Sequence, residues 1–368
     1  MPQKVMRTPR TVDLELTSRC NLSCRYCYYL HNQGVTYQDL PTERWLAFIS
    51  ELGEAQVMSV CLGGGEALLR DDIFTLIDAI VANRMRFELL SNGIALTVEV
   101  ARRIKQTGRC NHVQVSLDGS RAEVHEIMRG KGSFAPALTA IRRLQEAEVP
   151  VTVRVTVHAG NINDLPVIAH LLLEELNLPF FSTNAISSLG SKAKYAEEMF
   201  LSPAQRLHAM QVLAELDAKY PGSIEASAGP LAEWHMFRAM RQASASGQPI
   251  EERGHLVGCG CIFNRISVRA DGAYVPCVML PQLVLGFIGE NPLAEVWRDT
   301  EILNGLRERT NIALENFEEC QGCDYQLSCT GSCPGGALSL LGEANRPSPD
   351  ACLRNFEQDL AEEGLFLP

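Results

Sequence analysis

Cys20, Cys24 and Cys27 stand in the run Cys-Asn-Leu-Ser-Cys-Arg-Tyr-Cys, spaced Cys-x3-Cys-x2-Cys. Three thiolates on one short loop can hold three corners of a [4Fe–4S] cube and leave the fourth iron open. An open iron is a place for chemistry; a fully ligated cluster mostly moves electrons or holds structure. Zinc is the competing occupant, but zinc sites pair Cys-x2-Cys units, and the one nearby extra donor is His31.

A second set of thiols lies late in the chain: Cys259, Cys261, Cys277, Cys320, Cys323, Cys329, Cys333 and Cys352. Eight thiolates could satisfy two structural zinc ions or two iron–sulfur clusters. Thirteen cysteines among 368 residues are many. With no apolar signal core at Met-Pro-Gln-Lys, the chain reads as cytoplasmic, where thiols serve as metal ligands rather than disulfides. The net charge of −11 argues against nucleic acid as a partner, and no apolar run reaches membrane-spanning length. Cys61 and Cys110 belong to neither set and read as packed core thiols. Trp234, His235 and His255 have no assigned role.

These residues need elements to position them. Strand-like runs recur at Val12–Leu16, Val57–Leu62, Phe87–Ser91, His112–Leu117, Val151–Val157 and Phe180–Ala185. Helical periodicity fills the gaps, at Thr42–Leu52, Asp71–Asn83, Thr97–Thr107, Phe134–Ala147, Asp164–Leu176 and Pro203–Lys219. Asp164 reads as a helix-start signal. Six βα units predict an α/β fold, a partial (β/α)6 TIM-like barrel with parallel strands, over residues 11–219. Functional residues should gather at the C-terminal strand ends, and Cys20 directly follows the first strand. A turn-rich bridge over 220–257 leads to a small cysteine-rich domain over 258–368. That segment has little apolar core of its own, so bound metal should contribute to its folding.

The first half resembles the radical S-adenosylmethionine enzymes. The resemblance runs through Cys20, Cys24, Cys27 and the aromatic Tyr26, then Leu62-Gly63-Gly64-Gly65-Glu66-Ala67, Ser91-Asn92-Gly93, Ser116-Leu117-Asp118-Gly119 and Met128-Arg129-Gly130. It implies that Tyr26 packs beside the adenine and that Gly64, Gly65 and Glu66 line the methionine amino group. It also implies that Ser116 sits near the ribose, that Arg129 reaches the carboxylate, and that Asn161 and Leu189 lie on the adenosine side. Ala67 replaces a usual proline, which would loosen the loop. In the family, one electron from an external reductant cleaves S-adenosylmethionine to a 5′-deoxyadenosyl radical, which removes a hydrogen from the substrate.

The late cysteines resemble the SPASM extension, which binds two auxiliary [4Fe–4S] clusters and brings the expected total to three. Family ligation puts Cys320, Cys323, Cys329 and Cys352 on the outer cluster. It puts Cys261, Cys277 and Cys333 on the inner one, with Cys259 either completing it or left free. Enzymes of this architecture mostly mature ribosomally made precursor peptides, by crosslinks, thioether bonds, excision or decarboxylation. Peptide maturation is therefore the expected function. Sulfatase-maturase-type oxidation is the alternative, but its usual aspartate after the Gly-x4-Cys cysteine is Val278 here. A plain electron-transfer protein is the non-enzyme alternative. About ten residues precede the first strand, too few for a leader-gripping domain, so a separate small recognition protein is an expected partner, with direct leader binding by the barrel and bridge as the alternative.

Overall fold

The computed structural model describes residues 5–27, 37–186, 197–257 and 259–368. Leu189 and His31 lie outside the described residues. The expected strands are present as β1 (Thr11–Glu15), β2 (Ser59–Gly63), β3 (Arg86–Ser91), β4 (Cys110–Ser116), β5 (Val151–Val157) and β6 (Phe181–Ala185). All six pair in parallel and in chain order. Between and after them lie α1 (Thr42–Glu54), α2 (Ile73–Ala82), α3 (Val98–Gln106), α4 (Ala122–Arg129), α5 (Phe134–Glu146), α6 (Leu165–His170) and α7 (Pro203–Lys219).

The helices form where the sequence stacks apolar side chains on one face. In α1, Trp45, Phe48, Ile49 and Leu52 are buried at three-and-four spacing against the sheet. A capping box starts α7: the Ser202 side chain accepts from the Gln205 amide, and the Gln205 side chain accepts from the Ser202 amide. The expected long helix from Asp164 is broken into a 3₁₀ turn, α6 and a π-helical turn over Leu171–Glu175. Asp164 does not cap it. Its carboxylate accepts instead from the Ser120 amide at 2.7 Å, the Ser120 hydroxyl at 2.8 Å and Arg121 at 2.8 Å.

The six-strand expectation is short by two parallel strands. β7 (Ile224–Ala226) pairs with β6, and α8 (Pro230–Ser246) follows it, both inside the stretch read as a bridge. β8 (Arg265–Val268) comes from the cysteine-rich region and pairs in parallel with β1. Its hairpin partner β9 (Ala273–Val275) and β10 (Gly286–Phe287) continue antiparallel, so one ten-stranded sheet runs β10-β9-β8-β1 through β7. Strands this short carry too few residues for period-two alternation to show.

The cysteine-rich region is also less hollow than its composition suggests. Ile262, Ile266, Val268 and Tyr274 join the main core. So do Leu293 and Trp297 of α9 (Leu293–Asp299) and Leu303 and Leu306 of α10 (Glu301–Glu308). After these come mostly 3₁₀ turns, with α11 (Pro334–Leu341) and α12 (Leu353–Glu362). A second, smaller core joins α7, α8 and α12 through Leu207, Met210, Phe237, Phe356 and Leu360. Arg206 is paired with Glu233 at 2.8 Å and lies over the rings of Phe237 and Phe356.

The face of the sheet away from the helices is polar. Val12 and Leu14 of β1, and Val151, Val153 and Val155 of β5, belong to the helix-covered core. Alternation therefore sends Asp13, Glu15, Thr152 and Arg154 to the opposite, inner face. Cys61 of β2 lies there between Asp13 and Glu88 in register. Asp13 pairs with Arg265 at 3.4 Å and accepts from the Ser267 hydroxyl at 3.2 Å. A polar inner wall suits a chamber for a bound substrate better than a packed barrel core.

Candidate active site and cluster-binding centres

The Cys20 loop is held from two sides. Asp39 accepts from the Thr17 hydroxyl and, at 2.7 Å, from the Ser18 amide. The glycine loop after β2 lies against the same segment: the Gly65 amide donates to Thr17 O at 2.8 Å and the Glu66 amide to Arg19 O at 2.9 Å. A Cβ at Gly64 would stand 2.5 Å from Thr17 O, and one at Gly65 would stand 2.2 Å from Arg19 O. Gly64 also has φ +115°, which side chains disfavour. These glycines therefore let two loops touch, and that contact positions the thiols. Ala67 is fully buried, and the turn it opens keeps its bonds to Glu66 O and Ala67 O, so the missing proline leaves the loop ordered.

The Glu66 side chain is engaged within the protein. It is 1% exposed, and its carboxylate accepts from the Ser91 hydroxyl at 3.0 Å and the Asn92 amide at 2.8 Å. Burial raises its carboxyl above the usual range against the pull of those donors. The side chain braces the β3 loop. Asn92 in turn donates to Asn21 at 2.7 Å and points its amide at Cys20 Sγ, 3.9 Å away.

Cys24 and Cys27 sit beside α4, where the Arg25 amide donates to Met128 O at 2.8 Å. The Cys24 thiol is pushed up to about 11 by burial, against Arg129, with Cys27, Asp118 and Cys20 adding to the rise. Burial likewise raises Cys20, with Cys27 among its neighbours.

Asp118, a motif residue to which the sequence assigns no role, is the hub of this region. It is fully buried and accepts from Tyr26 Oη at 2.5 Å, from Arg129 Nε, and from the Thr156 amide at 2.8 Å. Burial works to raise its pKa, but Arg129, Tyr26 and the Thr156 amide win and hold it below the usual carboxylate range. The Asp118 amide donates to His125 Nδ1, and burial keeps that imidazole neutral down to about 4. Arg129, expected to reach the cofactor carboxylate, is ion-paired to Asp118 through Nε and lies 5.4 Å over the Tyr26 ring. Asn161 is fully buried, donating to Asp118 O and Thr156 O at 2.9 Å and accepting from the His158 amide at 2.8 Å, so its side chain ties β4 to β5. Ser116 stands at the inner-face end of β4, in register with Arg154. Arg154 is the lumenal cation missed in the sequence; it donates to Gln114 at 3.3 Å.

Asp118→Asn should cost about 3–5 kcal/mol, because it leaves Arg129 buried without its counter-ion. Denaturant unfolding at neutral pH checks this. Asp118 has a lowered folded-state pKa, so its stabilisation is present above about pH 4 and is lost as pH falls through the folded value. The variant should therefore lose part of the wild-type acid sensitivity.

The late thiols fall into two groups. Burial, then the charges of Cys329, Glu319, Cys352 and Cys323, push Cys320 up to about 12. Cys329 in turn feels Cys352 and Cys323. In the other group, Cys259 beside Cys261 lowers the latter's pKa, but Cys277 and burial outweigh this and push Cys261 up to about 12. Burial raises Cys333, and Cys259 adds to it. Asp13 and Arg265 lie within electrostatic reach of Cys261, so this second group borders the inner face of the sheet. Among the described residues, no three His, Cys, Asp or Glu side chains converge on one point as a single ion requires.

A Cys-x3-Cys-x2-Cys loop at the end of β1, a glycine loop after β2 and a thiol-rich C-terminal region define a radical S-adenosylmethionine enzyme with auxiliary clusters. Residues 14–172 match the radical SAM superfamily, and residues 259–324 match SPASM, an iron–sulfur cluster-binding domain. The chain carries both domains, and its cofactors are S-adenosylmethionine and several [4Fe–4S] clusters.

Among curated proteins, the AdoMet-dependent heme synthase of Methanosarcina barkeri is 29% identical over 93% of this chain and 95% of its own. The mycofactocin maturase MftC of Mycolicibacterium smegmatis is 27% identical over 100% of this chain and 88% of its own. Among solved structures, Streptococcus suis SuiB bound to the precursor peptide SuiA shares the fold at TM-score 0.73 and 13% identity, covering 95% of this chain and 77% of its own. No helix among the described residues is long and apolar enough to cross a membrane.

Proposed function

We propose that this enzyme oxidatively modifies a ribosomally synthesised precursor peptide. The observation that carries the reading is the inner face of the sheet, polar and bounded by two thiol centres. The Cys20, Cys24 and Cys27 loop lies at the strand ends, and the Cys259, Cys261, Cys277 and Cys333 group borders Asp13 and Arg265. The first thiols would hold the cluster that binds S-adenosylmethionine, whose reductive cleavage supplies a hydrogen-abstracting radical. The backbone of Gly64 to Glu66 and Ser116 would contact the cofactor, and Tyr26, pinned by Asp118, would flank its adenine. Cys320, Cys323, Cys329 and Cys352 would hold the outer auxiliary cluster.

The peptide class is supported by the maturase relatives, which match nearly the whole chain, and by the fold shared with a precursor-peptide complex. A separate recognition protein would grip the leader of the precursor, and an external one-electron reductant would start each turnover. The sulfatase-maturase alternative lacks its aspartate, since Val278 follows Cys277.

A second reading is tetrapyrrole chemistry. It is favoured by the 29% identity to a heme synthase and 27% to an Fe-coproporphyrin III synthase from the same organism, each over 93% of this chain.

Incubation of reconstituted protein with S-adenosylmethionine and dithionite should release 5′-deoxyadenosine. Adding a short peptide encoded beside the gene should give a product of changed mass. Conversion of Fe-coproporphyrin III with the peptide untouched would replace the first reading by the second.

A further inference from the structure

A fully buried arginine lies beside the inner thiol group with no carboxylate to pair it among the described residues. Arg309 follows α10 and is 0% exposed. Its Nη1 donates to Ala344 O at 2.7 Å and its Nη2 to Ser332 O at 3.1 Å, while Nε has no partner. Both acceptors are neutral carbonyls. Burial pulls its pKa down to about 10, against the opposing pull of Cys333 and Cys259, the opposite charges that bear on it. Taking an unpaired guanidinium out of water costs several kcal/mol unless an anion compensates. Two other buried arginines have one, Asp118 for Arg129 and Asp271 for Arg269, while Arg307 shares with Arg309 a set of neutral acceptors but has no thiol among the charges that bear on it.

We propose that the counter-ion of Arg309 is the inner auxiliary cluster held by Cys259, Cys261, Cys277 and Cys333, and that Arg309 sets this cluster's reduction potential. A [4Fe–4S] cube with four thiolates is an anion, and reduction adds one more negative charge. A fixed guanidinium in a low-dielectric site favours the reduced form more than the oxidised one, so it raises the potential. The inner cluster thereby becomes the better one-electron acceptor. That is the property a net oxidation needs when the substrate radical gives up its electron. Arg307, on the same segment, acts elsewhere. It donates to Ile262 O at 2.7 Å and to Trp297 O at 2.7 Å, holding the turn after Cys261. The inference rests on the ligand assignment above, and its test separates the two.

The test is an anaerobic redox titration of the full chain, followed by electron paramagnetic resonance. Cys20, Cys24 and Cys27 are replaced by alanine so that only auxiliary clusters contribute. The inner signal is the one altered by Cys259→Ser. In Arg309→Met the inner cluster should titrate at a more negative potential, with at least a tenfold lower reduced-to-oxidised ratio at fixed potential, about 59 mV for one electron. The outer signal should not move, and Arg309→Lys should stay near the parent. If Arg309→Met lost its iron, Arg309→Gln, which keeps a donor for Ala344 O, would give the same comparison. An unchanged inner potential, or equal shifts of both clusters, would overturn the role of Arg309. An iron content of only about four per parent chain would overturn the ligand assignment as well.

Discussion

Cys24→Ala is expected to remove about four irons per chain from anaerobically prepared protein and to abolish 5′-deoxyadenosine formation, rather than weaken substrate binding. Cys24 is tied to the rest of the site by charge as well as position: Arg129, Cys27, Asp118 and Cys20 all bear on its thiol. With two thiolates left, the loop cannot hold a cube with a single open corner. The backbone should survive the change. The loop is anchored by the Arg25 amide on Met128 O and by the glycine-loop bonds to Thr17 and Arg19, none of which uses a cysteine sulfur. Unfolding should therefore be close to that of the parent freed of iron, while cleavage of S-adenosylmethionine falls to background. Iron analysis beside chromatographic detection of 5′-deoxyadenosine decides it. Full iron content with undiminished cleavage would show that these thiols do not hold the reactive cluster.

How much of this was legible in the sequence follows from what each feature depends on. The βα alternation was readable because each strand from β1 to β6 holds several apolar residues between turn signals. The thiol sets were readable because ligand spacing along the chain is itself the pattern. β7 and β8 were hidden, being three and four residues long, and β8 joins the sheet next to β1 from more than two hundred residues away. α4 carries Val124, His125 and Met128 on one buried face, too short a stretch to stand out between strands.

Three of the expected site residues share one feature that the sequence could not show. Glu66, Arg129 and Asn161 are polar residues in motif positions, and a motif does not say whether its polar atoms face a ligand or the protein. The structure turns all three inward, onto Ser91 and Asn92, onto Asp118, and onto the β4–β5 junction. The residue that organises the last two, Asp118, lies inside the Ser-Leu-Asp-Gly motif. A buried acidic hub is defined by three-dimensional neighbours, and spacing cannot show those.

The two auxiliary groups should respond differently to loss of one ligand. Cys352→Ala is expected to remove the outer cluster, about four irons per chain, and to destabilise the C-terminal third. The region from Arg309 to Cys352 is built mainly of 3₁₀ turns, and few of its side chains enter either core. Its thiols must therefore replace contacts that apolar packing supplies elsewhere. Cys352 also stands at the start of α12, so loosening it should free Phe356 and Leu360 from the small core shared with α7 and α8. Cys259→Ala tests the other group. Cys259 bears on both Cys261 and Cys333, and we propose it as the fourth ligand of that group. Ile262, Ile266 and Tyr274 nearby belong to the main core, which should keep this part folded when the inner cluster is lost. The expected contrast is loss of iron in both variants, with early proteolysis of the C-terminal region only in Cys352→Ala. If Cys259→Ala kept its full iron through gel filtration with a chelator, the inner cluster would have three protein thiolates and an open iron of its own.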